Sequence, residues 1–209
     1  MTKGLFIAIE GIDGAGKTTC ARLLANSLIS QSYPVTLTKE PGGTEVGAEI
    51  RHLILNWGND TAPETQLALM LADRVEHLNK VVRPALEAGN IVICDRYSAS
   101  TIAYQGYGLG LPLPLVQRAN TLATRGLMPD LTFFFDVPPE IAKLRMSASG
   151  KGDDRYEKMG DDFFQRVYEG YRTLFADYPK SVIKIPWQYG SEQARIFMVM
   201  HVHALPYGE

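Results

Sequence analysis

The chain has 209 residues, 45% hydrophobic and 21% charged, with a formal net charge of −2 at pH 7. That length suits one sizeable α/β core, and the near-neutral charge gives no electrostatic footprint for nucleic acid. No apolar run approaches the ~18 residues of a membrane span, so neither nucleic acid nor a membrane is expected as a partner. Residues 1–4 run straight into an apolar stretch, which leaves no room for a signal peptide. The two cysteines, Cys20 and Cys94, both fall in apolar segments, which suits core filling in a reducing cytoplasm. His52, His77, His201 and His203 show no zinc-ligand spacing, and His201-x-His203 reads as a surface accident.

Leu5-Phe6-Ile7-Ala8-Ile9 reads as a buried strand, and it breaks into Gly11-Ile12-Asp13-Gly14-Ala15-Gly16-Lys17-Thr18. This is a full match to G-x-x-x-x-G-K-[ST], and a helix-compatible run over 19–29 follows it, so the motif has the strand–loop–helix setting that gives it meaning. Its glycines let successive N–H groups turn inward as an anion nest, and the helix adds its positive N-terminal end. Residues 11–19 (Gly11, Ile12, Asp13, Gly14, Ala15, Gly16, Lys17, Thr18, Thr19) are thus expected to cradle the phosphates of a nucleoside triphosphate. Lys17 reaches the β- and γ-phosphates, and the Thr18 hydroxyl holds a magnesium ion.

A second strand over 34–38 ends in a Lys39-Glu40-Pro41-Gly42-Gly43-Thr44 loop, and residues 46–55 have helical spacing. Pro63 opens a helix that should run to Leu86, bent near Pro84. A strand over 90–94 delivers Asp95-Arg96-Tyr97 at its carboxyl end. Residues 101–105 can be helical until Gly106-Tyr107-Gly108 breaks them, residues 114–125 are amphipathic, and a strand covers 131–136. A helix begins at Pro138-Pro139 and ends in the small, polar run 147–152. Further helices over 161–178 and 192–203 bracket a strand over 182–185.

Strands alternating with helices argue a five-stranded parallel sheet covered on both faces, whose ligands bind beyond the carboxyl ends of the strands. The Gly11 loop, the Glu40 loop and Asp95-Arg96 should therefore share a cleft. Asp95 has the placement of a carboxylate that holds magnesium, and Arg96 offers a planar fork of donors to an acceptor phosphate. Arg145, Lys151 and Arg155 bracket a glycine-containing loop that suits a lid closing cations over the transferring group. On these residues alone the chain is a P-loop phosphotransferase or hydrolase, with the acceptor open.

The chain resembles the bacterial thymidylate kinases over nearly its whole length. The residues that carry the resemblance are Glu10-Gly11 through Thr19, Lys39-Glu40-Pro41-Gly42-Gly43-Thr44, Ala72-Asp73-Arg74, Asp95-Arg96-Tyr97, Ala103-Tyr104-Gln105-Gly106 and Pro129-Asp130-Leu131-Thr132 with Asp136-Val137-Pro138-Pro139. The resemblance implies a nucleoside-monophosphate-kinase fold with a mobile lid, about 145–157, in one domain over 1–209. It implies ATP- and Mg2+-dependent phosphorylation of dTMP to dTDP, in a cytoplasmic homodimer formed through helices that include residues 64–86.

By the same resemblance Asp13 binds the sugar 3′-hydroxyl, Arg51 and Arg96 hold the acceptor phosphate, and Arg74 reaches a thymine carbonyl. Ser100 and Thr101 line the base pocket, Tyr104 packs where a ribose 2′-hydroxyl would sit, and Gln105 bonds near the acceptor phosphate. The phosphate loop carries no arginine, like the subtype whose catalytic cation comes from the lid, which makes Arg145 and Arg155 the candidates. Met70 stands where the family usually has a phenylalanine stacked on thymine, and Lys39 where arginine is common. A kinase of another nucleotide or of a deoxynucleoside is the alternative enzyme. A guanine-selecting switch would need an Asn-Lys-x-Asp run, which is missing from the sequence, and a catalytically dead nucleotide binder fits poorly with intact Lys17, Thr18, Asp95 and Arg96.

Overall fold

The computed structural model describes residues 4–56, 61–148, 159–176 and 180–205. Its centre is β1 (Leu5–Glu10), in which every residue is buried. With β2 (Val35–Lys39), β3 (Ile91–Asp95), β4 (Leu131–Asp136) and β5 (Val182–Pro186) it forms a parallel sheet in the order β2-β3-β1-β4-β5. The helices are α1 (Lys17–Ser30), α2 (Glu45–Asn56), α3 (Pro63–His77), α4 (Arg83–Glu87), α5 (Ser98–Thr101), α6 (Leu113–Thr124), α7 (Pro139–Ala148), α8 (Asp161–Leu174) and α9 (Ser191–His203).

The two-residue period of β1 divides the core between the faces of the sheet. Leu5, Ile7 and Ile9 join a large cluster with Leu24 and Leu28 of α1, Phe163 and Val167 of α8, and Met198 of α9. Phe6 and Ala8 point the other way, onto Leu78, Val82 and Tyr97. A strand wrapped on both sides has no polar face to show, which is why 5–9 is an unbroken apolar run. Both cysteines are free and buried, as their apolar surroundings suggest. The register pairs Ile9 with Asp95 and Asp95 with Lys39, so three carboxyl strand ends lie side by side where the chain turns into its functional loops.

Several boundaries differ from those read off the sequence, each for a physical reason. The first helix starts at Lys17 rather than residue 19, because Gly16 adopts φ 94° as its N-cap and puts Lys17 and Thr18 on the first turn. The helix expected to bend near Pro84 widens just before it: α3 passes into a π-helical turn, Leu78–Val82, that runs without a break into α4, with Pro84 near its start. The helix ends within Gly106-Tyr107-Gly108, at Gly108, rather than at residue 105. The helix begins at Ser98 and continues as a π-helical turn, Ile102–Gly108. Glycine at 108 serves close packing, since a Cβ there would lie 2.6 Å from the Phe163 ring of α8. Helix α8 ends at Leu174, with Phe175 as its C-cap, and Tyr178 lies outside the described residues. So do 149–158, which include Lys151, Arg155 and most of the expected lid.

Candidate active site

The phosphate loop is in place. Gly16 turns the chain into α1, a Cβ at that position would meet nothing within 4 Å, and the space before the helix N-terminus is open. Lys17 folds back over the loop and donates from Nζ to the Ile12 carbonyl at 2.6 Å. Burial, followed by the nearby Arg96 charge, lowers its pKa to about 8. An ammonium held so far below its ordinary value is short of negative charge, which a polyphosphate would supply. On the adjoining side Thr18 Oγ1 donates to Asp95 Oδ2 at 2.5 Å. This hydroxyl–carboxylate pair opens onto a cleft of about 650 Å3, shared with Arg22, Lys39 and Gly42. Two oxygen donors beside the phosphate loop fit a hard divalent cation.

Arg96 is the hub of the other half. It follows β3 with φ 72°, a left-handed conformation uncommon for a non-glycine residue. Its Nη2 donates to Asp13 Oδ1 and, at 3.1 Å, to the Tyr104 hydroxyl, which in turn donates to Asp13 Oδ2 at 2.8 Å. Its Nη1 donates to the Gly11 carbonyl at 2.9 Å. Burial alone would raise the Asp13 pKa, but the charges of Arg96 and Lys17 outweigh it and hold the carboxyl below its usual range. Beside this pair lies a cleft of about 470 Å3, lined by Asp13, Pro41, Arg51, Ile54, Leu55, Met70, Arg96, Ser100, Tyr104 and Gln105. Seven of the nine residues expected at the acceptor are in that lining. Arg51 is steadied there by donating from Nη1 to the Pro41 carbonyl at 3.3 Å.

The other two, Arg74 and Thr101, are fully buried and do not line the cleft. Arg74 donates from Nε to Glu40 Oε2 at 2.8 Å, and from Nη1 to Thr101 Oγ1 at 2.9 Å and Asn120 Oδ1 at 2.5 Å. Its Nη2, which carries two N–H groups, has no hydrogen-bond partner among the described residues and is itself buried. Thr101 thus orients Arg74. Glu40 also accepts His77 Nδ1 at 2.8 Å, while His77 Nε2 bonds Thr38 Oγ1 at 2.6 Å. Asp73, raised to about 6 by burial, accepts the Gly42 N–H at 2.8 Å and anchors the 40–44 loop. Glu40, His77 and Cys94 bring ligand-type atoms within 4.8 Å of one another, but each is already used, Cys94 by donating to the Arg96 carbonyl at 3.0 Å.

Arg145 lies on α7 and bridges two carbonyls, with Nη1 to Ala15 at 3.2 Å and Nη2 to Trp187 at 2.8 Å, so it rests on the outer edge of the phosphate loop. His201 is not a loose surface group: its ring packs 4.3 Å from Phe197 and its Nδ1 bonds the Phe197 carbonyl. The sequence reading assigned no role to Glu10, Glu40, Asp73, Asn120 or Tyr171. For Glu10 and Glu40 a signal was present, a lone carboxylate closing each of two strands; Asn120 and Tyr171 carry none that spacing could reveal.

A family model described as thymidylate kinase matches residues 9–195. The thymidylate kinase of Exiguobacterium sibiricum is 47% identical over 180 residues, covering 86% of this chain and 84% of the relative. That of a Synechococcus species is 45% identical over 184 residues, 88% of this chain and 87% of the relative. The crystal structure of thymidylate kinase from Ehrlichia chaffeensis aligns with a TM-score of 0.77 at 32% identity, covering 96% of this chain and 98% of that one.

Proposed function

We propose a division of labour that proceeds from one premise: the chain belongs to the thymidylate kinase family, and it transfers the γ-phosphoryl group of ATP to dTMP, giving dTDP. The observation that carries the proposal is the double membership of Asp13, which belongs to the phosphate loop and also walls the acceptor cleft. Donor and acceptor phosphates then meet beside Arg96 and Lys17. Phosphoryl transfer needs mainly alignment and neutralisation of charge, and the site is rich in both.

ATP places its phosphates on the N–H groups of residues 11–19, and Lys17 exchanges the Ile12 carbonyl for the β,γ-phosphates. The acceptor phosphate sits between Arg51 and Arg96. To receive it with a two-pronged fork Arg96 gives up Asp13, and the freed carboxylate accepts the sugar 3′-hydroxyl. Tyr104, whose hydroxyl is already tied to Asp13, closes the space beside that sugar, and Gln105 lies along the phosphate end. Met70 covers the base, with Ser100 as a polar contact, and the buried Arg74 braces the pocket through Thr101 and Glu40. Thr18 and Asp95 hold Mg2+, which when bound neutralises phosphate charge. The catalytic cation comes from the 145–157 segment, with Arg145, already against the Ala15 carbonyl, and Arg155, which lies outside the described residues, as the two candidates.

We also propose that residues 1–209 act as one domain and that two copies pair through α3. Its outward side carries Ala68, Ala72 and Val75 at helical spacing, a small apolar stripe that a second helix would cover, and sedimentation should give twice the chain mass. A cytoplasmic location accords with two cysteines that are buried and unpaired.

Met70 tests the acceptor assignment. It lines the cleft and packs on Ile50 and Ile54. Met70→Ala should raise KM for dTMP about fivefold, the ~1 kcal/mol of a lost contact over a ring, while KM for ATP stays put. Met70→Phe should move the same constant, downward if the ring stacks and upward if it overpacks. A loss of thermal stability with both KM values unchanged would make Met70 a core residue only.

A further inference from the structure

Glu10 closes β1, is 1% exposed, and has no part in the chemistry described above. Its carboxylate is nonetheless fully engaged. Oε1 accepts the Tyr97 N–H at 2.8 Å and the Ser100 N–H at 3.3 Å. Oε2 accepts the Ser100 hydroxyl at 2.6 Å and the Tyr171 hydroxyl at 2.9 Å. Those two hydroxyl oxygens are 2.7 Å apart, and each lies 3.3 Å from Arg96 Nη1.

A hydroxyl has one proton and two lone pairs. Tyr171 gives its proton to Glu10 and Ser100 shares its own between Glu10 and the Tyr171 oxygen, so both oxygens keep lone pairs for the guanidinium. Glu10 also grips the backbone around Arg96. The Arg96 N–H donates to Ile9 on one side, at 2.9 Å, and the next N–H, of Tyr97, donates to Glu10 on the other. A residue at φ 72° needs such holding, because a side chain rarely adopts that conformation unless its surroundings impose it.

We propose that Glu10 is a positioning residue for the acceptor step: through the Ser100 and Tyr171 hydroxyls it aims the Arg96 guanidinium at the phosphate of the nucleoside monophosphate. The inference rests on the reading of Arg96 as the acceptor-phosphate arginine. It also gives Tyr171, on α8 and far along the chain, a defined task. The Tyr171 ring is separately secured by stacking on Phe134 and Phe175, with centroids 5.6 and 6.0 Å away, so its hydroxyl can be removed without removing its packing.

The test compares dTMP with thymidine, which shares the base and sugar but lacks the phosphate. Glu10→Gln introduces an amide N–H that must point at one of the two hydroxyls and turn its proton towards Arg96. It should raise the Kd for dTMP about tenfold, and Tyr171→Phe, which deletes one acceptor, roughly threefold. Thymidine affinity and KM for ATP should not change in either variant. If Glu10→Gln does not fold, Tyr171→Phe decides alone. Equal losses for dTMP and thymidine would mean that Glu10 serves the base pocket through Ser100, and a change in thermal stability alone would mean a structural role; either result overturns the proposal. Arg96→Ala separates the two levels of the argument. If it abolishes the preference for dTMP over thymidine while Glu10→Gln and Tyr171→Phe leave that preference intact, only the Glu10 inference falls. If it leaves the preference untouched, the reading of Arg96 falls, and this inference with it.

Discussion

Replacing Lys17 with alanine is expected to lower kcat at least about a hundredfold, with little change in KM for dTMP. The amine is the one side-chain cation inside the phosphate loop, and deleting a preorganised contact to charge developing in the transition state costs ~3 kcal/mol. Among the described residues the Lys17 amine donates to the Ile12 carbonyl, a single loop contact, so the variant should fold and the loss should fall on catalysis. The same amine leaves a thermodynamic trace. Its pKa is about 8 in the free enzyme, and phosphates placed beside it raise that value. Nucleotide binding near pH 8 should therefore take up about half a proton per site, and almost none at pH 6.5, where the amine is already charged. Calorimetry in buffers of different ionisation enthalpy reads this uptake, and Lys17→Ala should abolish it. Turnover within a few-fold of the parent would remove Lys17 from its assigned role.

The second large effect is on stability. Arg74→Ala should destabilise the fold by ~3–5 kcal/mol, the usual result of deleting one partner of a fully buried ion pair and stranding the other. Both side chains of the Arg74–Glu40 pair are 0% exposed. The deletion would also strip a donor from Thr101 and Asn120, each buried. Since Glu40 directly follows β2 and opens the 40–44 loop, the damage should reach Arg51 and Pro41, and KM for dTMP should rise in whatever protein remains folded. By contrast the Lys143–Asp161 pair is largely exposed, and breaking it should leave denaturation nearly unchanged. A denaturation midpoint for Arg74→Ala close to the parent's would show that the buried network contributes far less than its geometry indicates.

The two halves of the site differ in how far they could be read without coordinates. The phosphate loop is local: eight consecutive residues, 11–18, carry the motif, and the strand before it and helix behind it are written in adjacent apolar patterns. Asp95 and Arg96 were legible as polar residues closing a buried strand. The supports of the acceptor cleft were not, because their partners are distant in sequence. Arg74 meets Glu40 across 34 residues and Asn120 across 46, and Tyr171 meets Glu10 across 161. No periodicity links such pairs, and only the packing of α3, α6 and α8 around the sheet brings them together.

Resemblance to the thymidylate kinases named Arg74 and Thr101 as substrate contacts, and the structure shows them first as members of a buried network. Gly106 and Gly108 illustrate a smaller difference, of where and why the helix ends. Glycine in a helical pattern reads as a breaker, yet here the last helical turn, in the wider form, includes both and ends at Gly108, and both leave space that Leu113 and Phe163 occupy.

The most direct measurement offers purified protein, magnesium and ATP a panel of acceptors in parallel: dTMP, dUMP, UMP, dCMP, AMP and thymidine. On the proposed assignments, with Met70 over the base, Tyr104 at the 2′-position of the sugar and Arg51 and Arg96 on the phosphate, dTMP should have the highest kcat/KM. The ribonucleotides should be poor acceptors, thymidine should not be phosphorylated, and turnover should stop when EDTA replaces magnesium. Preference for AMP, or for the nucleoside over its monophosphate, would contradict the account.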